Sequence, residues 1–102
     1  MTLQILTLEM IKSHLHIDSD DYDQELELYA ASAEEEALNY MERTYESLIE
    51  EHRKVPAPII KACLMRVGTA FRYREDITDR TLYRVPYAWE GILIRYKPKT
   101  KI

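Results

Sequence analysis

Glycine is nearly absent from this chain, with two residues in 102, and proline occurs only four times. So few chain-breaking residues leave little material for the tight turns of β-rich folds and favour helices joined by short links. Cysteine occurs once, at Cys63, which excludes an internal disulfide and argues against a cysteine-based zinc site. No apolar run approaches the ~18 residues a membrane-spanning helix needs. The opening "MTLQILTLEM" carries no positive charge before Lys12, so it does not read as a secretory signal. These absences lead us to expect a protein that is cytoplasmic where it is made. Phenylalanine also occurs once, against eight tyrosines. That ratio suits surfaces that stay half wet, because a buried tyrosine must find a partner for its hydroxyl.

What is present reads as one globular domain spanning residues 1–102, with residues 97–102 as a basic tail. The chain is 46% hydrophobic and 31% charged, too apolar for a disordered segment. Its net charge of −4 hides a division. Residues 1–55 hold 14 acidic and 4 basic side chains, whereas residues 56–102 hold 4 acidic and 10 basic. Such a division implies either attraction within the subunit or a head-to-tail partner.

Periodicity predicts an all-α bundle of about four helices, the second long, with a short extended arm at "TLQIL". The first helix starts after the N-cap Thr7 and runs to about Leu15, burying Leu8, Ile11 and Leu15. The second runs from about Asp21 to Arg43. Tyr22, Leu26, Tyr29, Ala30, Ala33, Ala37, Tyr40 and Met41 fall on one side of it, and the alanines let a neighbouring helix approach closely. Leu28, Ala31 and Leu38 fall on the other side among Glu27, Glu34, Glu35 and Glu42. That side is either an ordinary surface with scattered apolar residues or a contact surface for another subunit. Residues 45–55, "YESLIEEHRKV", read equally as a continuation of the second helix or as a loop. The third helix runs from about Pro58 to Arg74, with Ile60, Cys63, Leu64, Val67, Ala70 and Phe71 on one face and Met65, Arg66, Arg72 and Tyr73 among the residues of the other. Cys63 is a core residue on this reading. The fourth helix opens at Pro86 and docks through Trp89, Ile92, Leu93 and Tyr96.

The stretch "HLHIDSDDYD", residues 14–23, is the one place where metal ligands crowd together. A calcium loop starting at Asp18 would need a liganding residue where Tyr22 stands, glycine where Asp23 stands and glutamate where Tyr29 stands. His14 and His16, two apart on a helix, point in different directions and cannot share an ion. The stretch is better read as a helix junction in which Asp18, Ser19, Asp20 and Asp21 offer oxygens to the first amides of the second helix. Neither a metal nor a cofactor is expected. No phosphate-binding glycine loop, nucleophile elbow or H-E-x-x-H motif is present. Glu34, Glu35 and Glu36 fan around the helix as a solvated face instead of converging as an acid–base pair, so no enzymatic activity is expected. Arg66, Arg72, Arg74, Arg80, Arg84, Arg95, Lys97, Lys99 and Lys101, interleaved with Tyr73, Tyr83, Tyr87 and Tyr96, make the second half basic. An acidic chain without a docking helix is nevertheless a poor reader of DNA sequence.

Taken in order, the segments resemble the head–tail connector proteins of long-tailed phages. "LTLEMIKSHLHID" is similar to the family's opening, through Thr7, Leu8, Glu9, Lys12, His14, Leu15, Ile17 and Asp18. "AASAEEEALNYMER" resembles its second helix, "VPAPIIKACLMRVGTAFRYRE" its third, and "VPYAWEGILIRYK" its closing segment. The departures are Ala88, where the family often carries glycine, and a short link between the second and third helices. The resemblance implies a structural subunit that forms a homo-oligomeric ring under the portal protein, in the virion neck, after assembly in the host cytoplasm. It further implies that neck or tail completion proteins dock on the ring, and that DNA passes through without its sequence being read. The subunit interface is expected at Leu28, Ala31, Glu35, Leu38 and Glu42 on one surface and Met65, Arg66, Arg72 and Tyr73 on the other. A small helical regulator that binds DNA or another protein is the alternative.

Overall fold

Residues 3–72 and 87–98 are described in the computed structural model. They form five α-helices and a closing 3₁₀ turn, with no strand among the described residues. α1 spans Leu8–Leu15, α2 Asp23–Met41, α3 Tyr45–His52, α4 Ala57–Arg72 and α5 Tyr87–Leu93, and the turn covers Ile94–Tyr96. The all-α bundle expected from periodicity is therefore present, with one helix more than predicted. The added helix is α3, in the stretch whose reading was open. Thr44 and Ser47 exchange hydrogen bonds across its first turn, a reciprocal cap that satisfies two amides left free at a helix start. Leu48 is its buried anchor. Arg74, Pro86 and the link between the last two helices lie outside the described residues.

α4 is the central element and packs against α1, α2 and α5. Its most extensive contact is with α2, where Leu26, Ala30, Ala33, Ala37 and Met41 are all buried. Alanine at three of these positions lets the two backbones approach, and Ala62 is the small buried residue on α4. α4 buries a broader face than predicted. Ile59, Ala62 and Gly68 join Cys63 and Val67 in the interior, while Ile60, Leu64 and Phe71 are half-buried at its edge. A helix covered from three sides has no single stripe for periodicity to find. Cys63 is a core residue, and burial, helped by the nearby Glu34 charge, pushes its thiol up to about 12. α5 closes the bundle with Leu93 buried and Trp89 packed beside Tyr40, the rings 5.5 Å apart.

The "HLHIDSDDYD" stretch is a helix junction, though not built by capping. α1 ends at His16, whose φ of 60° lies in the left-handed region, and the Ile17 N–H closes back on the Lys12 carbonyl at 2.9 Å. The N-cap of α2 is Tyr22, with no side-chain cap bond. The aspartates turn to α1 instead, Lys12 Nζ standing 2.7 Å from Asp20 and 3.0 Å from Asp23. Hydrogen bonding to these carboxylates raises the Lys12 pKa, and Lys12 in return lowers that of Asp20. α2 and α3 also end on left-handed residues that are not glycine, Glu42 at φ 57° and Arg53 at φ 69°. With two glycines in the chain, neither at a positive φ, all three turns fall to residues that pay a steric penalty.

One expectation about the glutamate run is overturned. Glu34 is 5% exposed, not part of a solvated face. Its carboxylate accepts three successive backbone N–H groups of the N-terminal arm, Gln4 at 3.0 Å, Ile5 at 2.8 Å and Leu6 at 2.6 Å. Ile5 and Leu6 are buried in the core, which takes their amides out of water without a helix or sheet to receive them. An ionised carboxylate is the strongest acceptor a side chain can offer there. Glu34 stands four residues after Ala30 and three before Ala37, in phase with the buried stripe, and that spacing distinguishes it from Glu35 and Glu36.

Candidate assembly surfaces

The residues expected at the subunit interface fall on two separate surfaces. The first is the outer side of α2. Leu28 is 56% exposed there, the largest exposure among the big apolar side chains described. About one, two and three turns further on, Ala31, Glu35 and Leu38 line a groove of about 430 Å³ between α2, Gln4 of the arm and the start of α3. Leu38 and Glu42 line an adjoining recess of about 450 Å³, which Pro98 closes. The arm forms one wall of the first groove, and Glu34, which holds the arm, also lines it.

The second surface lies between the C-terminal end of α1 and α4. Met65 and Arg72 line a cleft of about 450 Å³ there with His14, Leu15, His16, Gly68 and Thr69. The groove and this cleft share no residue and no helix. Apolar side chains form part of the cleft, whereas His14, His16 and Arg72 are exposed at its rim. Thr69 bonds back to the Met65 carbonyl at 3.0 Å, as a helix-interior threonine commonly does. The sequence reading missed the histidines as surface residues of this cleft. Their helix-end position was legible, but the approach of α1 to α4 was not.

The divided charge is partly satisfied inside the subunit. Arg66 Nε lies 3.0 Å from Glu36, and its guanidinium stands 4.7 Å from the centre of the Trp89 ring. Lys97 lies 3.9 Å from Glu42 and 4.8 Å from the centre of the Tyr40 ring. Arg66 and Glu42 are therefore engaged within the chain. Glu35 and Arg72, both exposed, have no ion-pair partner among the described residues. Tyr73 lies outside the described residues, as do Arg74, Arg80, Arg84, Lys99 and Lys101.

The described residues contain no group of three or more His, Cys, Asp or Glu side chains placed to hold a metal ion. No described helix is long and apolar enough to cross a membrane. What the described residues define is a small helical domain with recesses on its outer faces, a fold that does not by itself assign a function. The chain matches the family model of phage gp6-like head–tail connector proteins over residues 5–97, and it belongs to that family. No curated protein and no solved structure matches it. The family is a structural one and places the protein among the components that join a phage head to its tail, in the virion neck.

Proposed function

We propose that this protein is the subunit of a homo-oligomeric ring that sits beneath the portal, continues the DNA channel and offers neck or tail completion proteins a surface to dock on. The observation that carries this reading is the family match over nearly the whole chain. Two surfaces built from different helices support it, because a ring needs a heterologous contact in which one face of each subunit meets another face of the next. Leu28, Ala31, Glu35, Leu38 and Glu42 supply the first face. Met65 and Arg72 belong to the second, with Arg66 and Tyr73 the remaining members of the expected set.

DNA passes through such a ring without base contacts, and a lumen that gripped phosphate would obstruct ejection. The lumen is therefore neutral or acidic, and a strongly basic lumen in an imaged ring would contradict this reading. Assembly takes place in the host cytoplasm, before the particle leaves the cell.

The native mass of the purified protein tests the proposal. A discrete ring-sized oligomer is expected. A protein that remains a monomer, both alone and with its portal, would refute the ring.

A further inference from the structure

The outer ridge of α2 carries an exposed leucine and a carboxylate, and the α1–α4 cleft carries apolar side chains and a guanidinium. We infer that the outer ridge of α2 in one subunit seats in the α1–α4 cleft of the next, Leu28 resting against Leu15 and Met65 while Glu35 meets Arg72. This inference rests on the ring reading and specifies its contact.

The ridge is a stripe on one side of a regular helix. Leu28, Ala31 and Glu35 stand at i, i+3 and i+7, so the exposed leucine and the free carboxylate lie about 10 Å apart along the axis. Ala31 between them is small and lets a neighbour come close. Leu28 leaves more than half of its surface in water, and seating it would remove apolar area from solvent.

The cleft provides the matching features. Gly68 lies beneath the end of α1, where a Cβ built on it would meet Leu15 Cδ2 at 3.6 Å and His14 Nε2 at 3.9 Å. Both are ordinary contacts, so Gly68 forms the buried floor where α1 closes on α4, and Leu15 and Met65 flank the open part of the cleft. Arg72, His14 and His16 stand exposed around the cleft, and Arg72 gives its rim a positive charge opposite in sign to the acid of the ridge.

The occupant is a second copy of this chain. Ridge and cleft belong to the same protein, and they use α2 on one side and α1 with α4 on the other. One subunit can therefore give its ridge to one neighbour and its cleft to another at the same time, which is the condition for a closed ring. Glu35 on the ridge and Arg72 at the cleft carry opposite charges and have no ion-pair partner among the described residues, whereas Arg66 and Glu42 are engaged within the chain.

A charge exchange tests the contact, with native mass followed against concentration and thermal melting confirming that each variant folds. E35K and R72E are each expected to raise the concentration for half-assembly by about tenfold, as loss of a close interfacial charge pair does. E35K/R72E should recover most of that loss, because the pair is restored with its signs reversed. L28D should abolish assembly. Rings that form equally well with either single reversal would overturn this pairing and leave the ring reading standing. A double variant no better than the worse single would also overturn it, by showing that ridge and cleft meet other surfaces, such as those of a portal or neck protein. A wild-type protein that forms no oligomer at its highest soluble concentration would overturn the contact as one made between copies, while family membership would be unaffected.

Discussion

The inner and outer faces of α2 are made from the same few residue types and do different work. On the inner face Leu26, Ala30, Ala33, Ala37 and Met41 are buried against the bundle, with Glu34 among them. On the outer face Leu28, Ala31, Leu38, Glu35 and Glu42 stay wholly or partly in water. Leucine, alanine and glutamate occur on both. Composition therefore says nothing about which face a residue serves, and phase decides it. Glu34 and Glu35 are neighbours in the chain, yet one binds the arm inside the subunit and the other is free to meet a partner outside it.

The largest effect that would break this contrast is on the inner face. Glu34→Ala removes the carboxylate that accepts the Gln4, Ile5 and Leu6 amides. The buried donors would then be unsatisfied, at about 1–3 kcal/mol each, unless the arm leaves its site and hydrates. Release limits the loss to roughly the burial of Ile5 and Leu6, about 1.5–3 kcal/mol each. A destabilisation of ~3–5 kcal/mol is therefore expected in urea titration, a large part of the ~5–15 kcal/mol available to a small domain. A change below ~1 kcal/mol would show that the arm is not held by this carboxylate.

On the outer face the same kind of substitution should act on assembly and spare the fold. E35K/E42K reverses two exposed charges, and the internal pair it breaks among the described residues is the 3.9 Å contact between Glu42 and Lys97. Exposed pairs of this kind contribute about 0–1 kcal/mol. The melting temperature should move little, while native mass shifts toward monomer. Unfolding of the variant would show that the outer face also carries the fold, and unchanged assembly would remove this face from the interface.

The legibility of the chain follows the same division. α1 could be read to the residue at its start, because Thr7 is a strong cap whose side chain accepts the Met10 N–H. The inner stripe of α2 was legible because it repeats over five turns. α3 was not, since it spans eight residues with a single buried anchor, and its cap pairs Thr44 with serine where glutamate or glutamine is the recognisable partner. The end of α1 at Leu15 was legible, but α2 stops short of the expected Arg43 and α3 ends without a recognisable signal, because these helices turn on Glu42 and Arg53 where the usual signal is glycine. Glu34 was assigned to the wrong side although its spacing from Ala30 and Ala37 was visible, because charge was weighed above phase. The two surface recesses needed the tertiary approach of α1 to α4 and of the arm to α2, which no local pattern encodes.

Glu42 belongs to both sides of the comparison, and the smallest predicted effect separates its roles. As the residue that ends α2 it holds a φ of 57°, a conformation in which a Cβ crowds the backbone and glycine does not. As an outer-face residue it lines the recess beside Leu38 and faces Lys97. Glu42→Gly should relieve the backbone and remove the carboxylate together, so fold and assembly move in opposite directions. Arg53→Gly is the matching control, because Arg53 ends α3 at φ 69° and lies on neither surface. The control should gain about 0.5–1 kcal/mol with assembly untouched, while Glu42→Gly gains somewhat less in stability, for want of the Lys97 contact, and loses assembly. Equal assembly in the two variants would mean that Glu42 acts only as a helix terminus, and the outer face would then begin at Leu38.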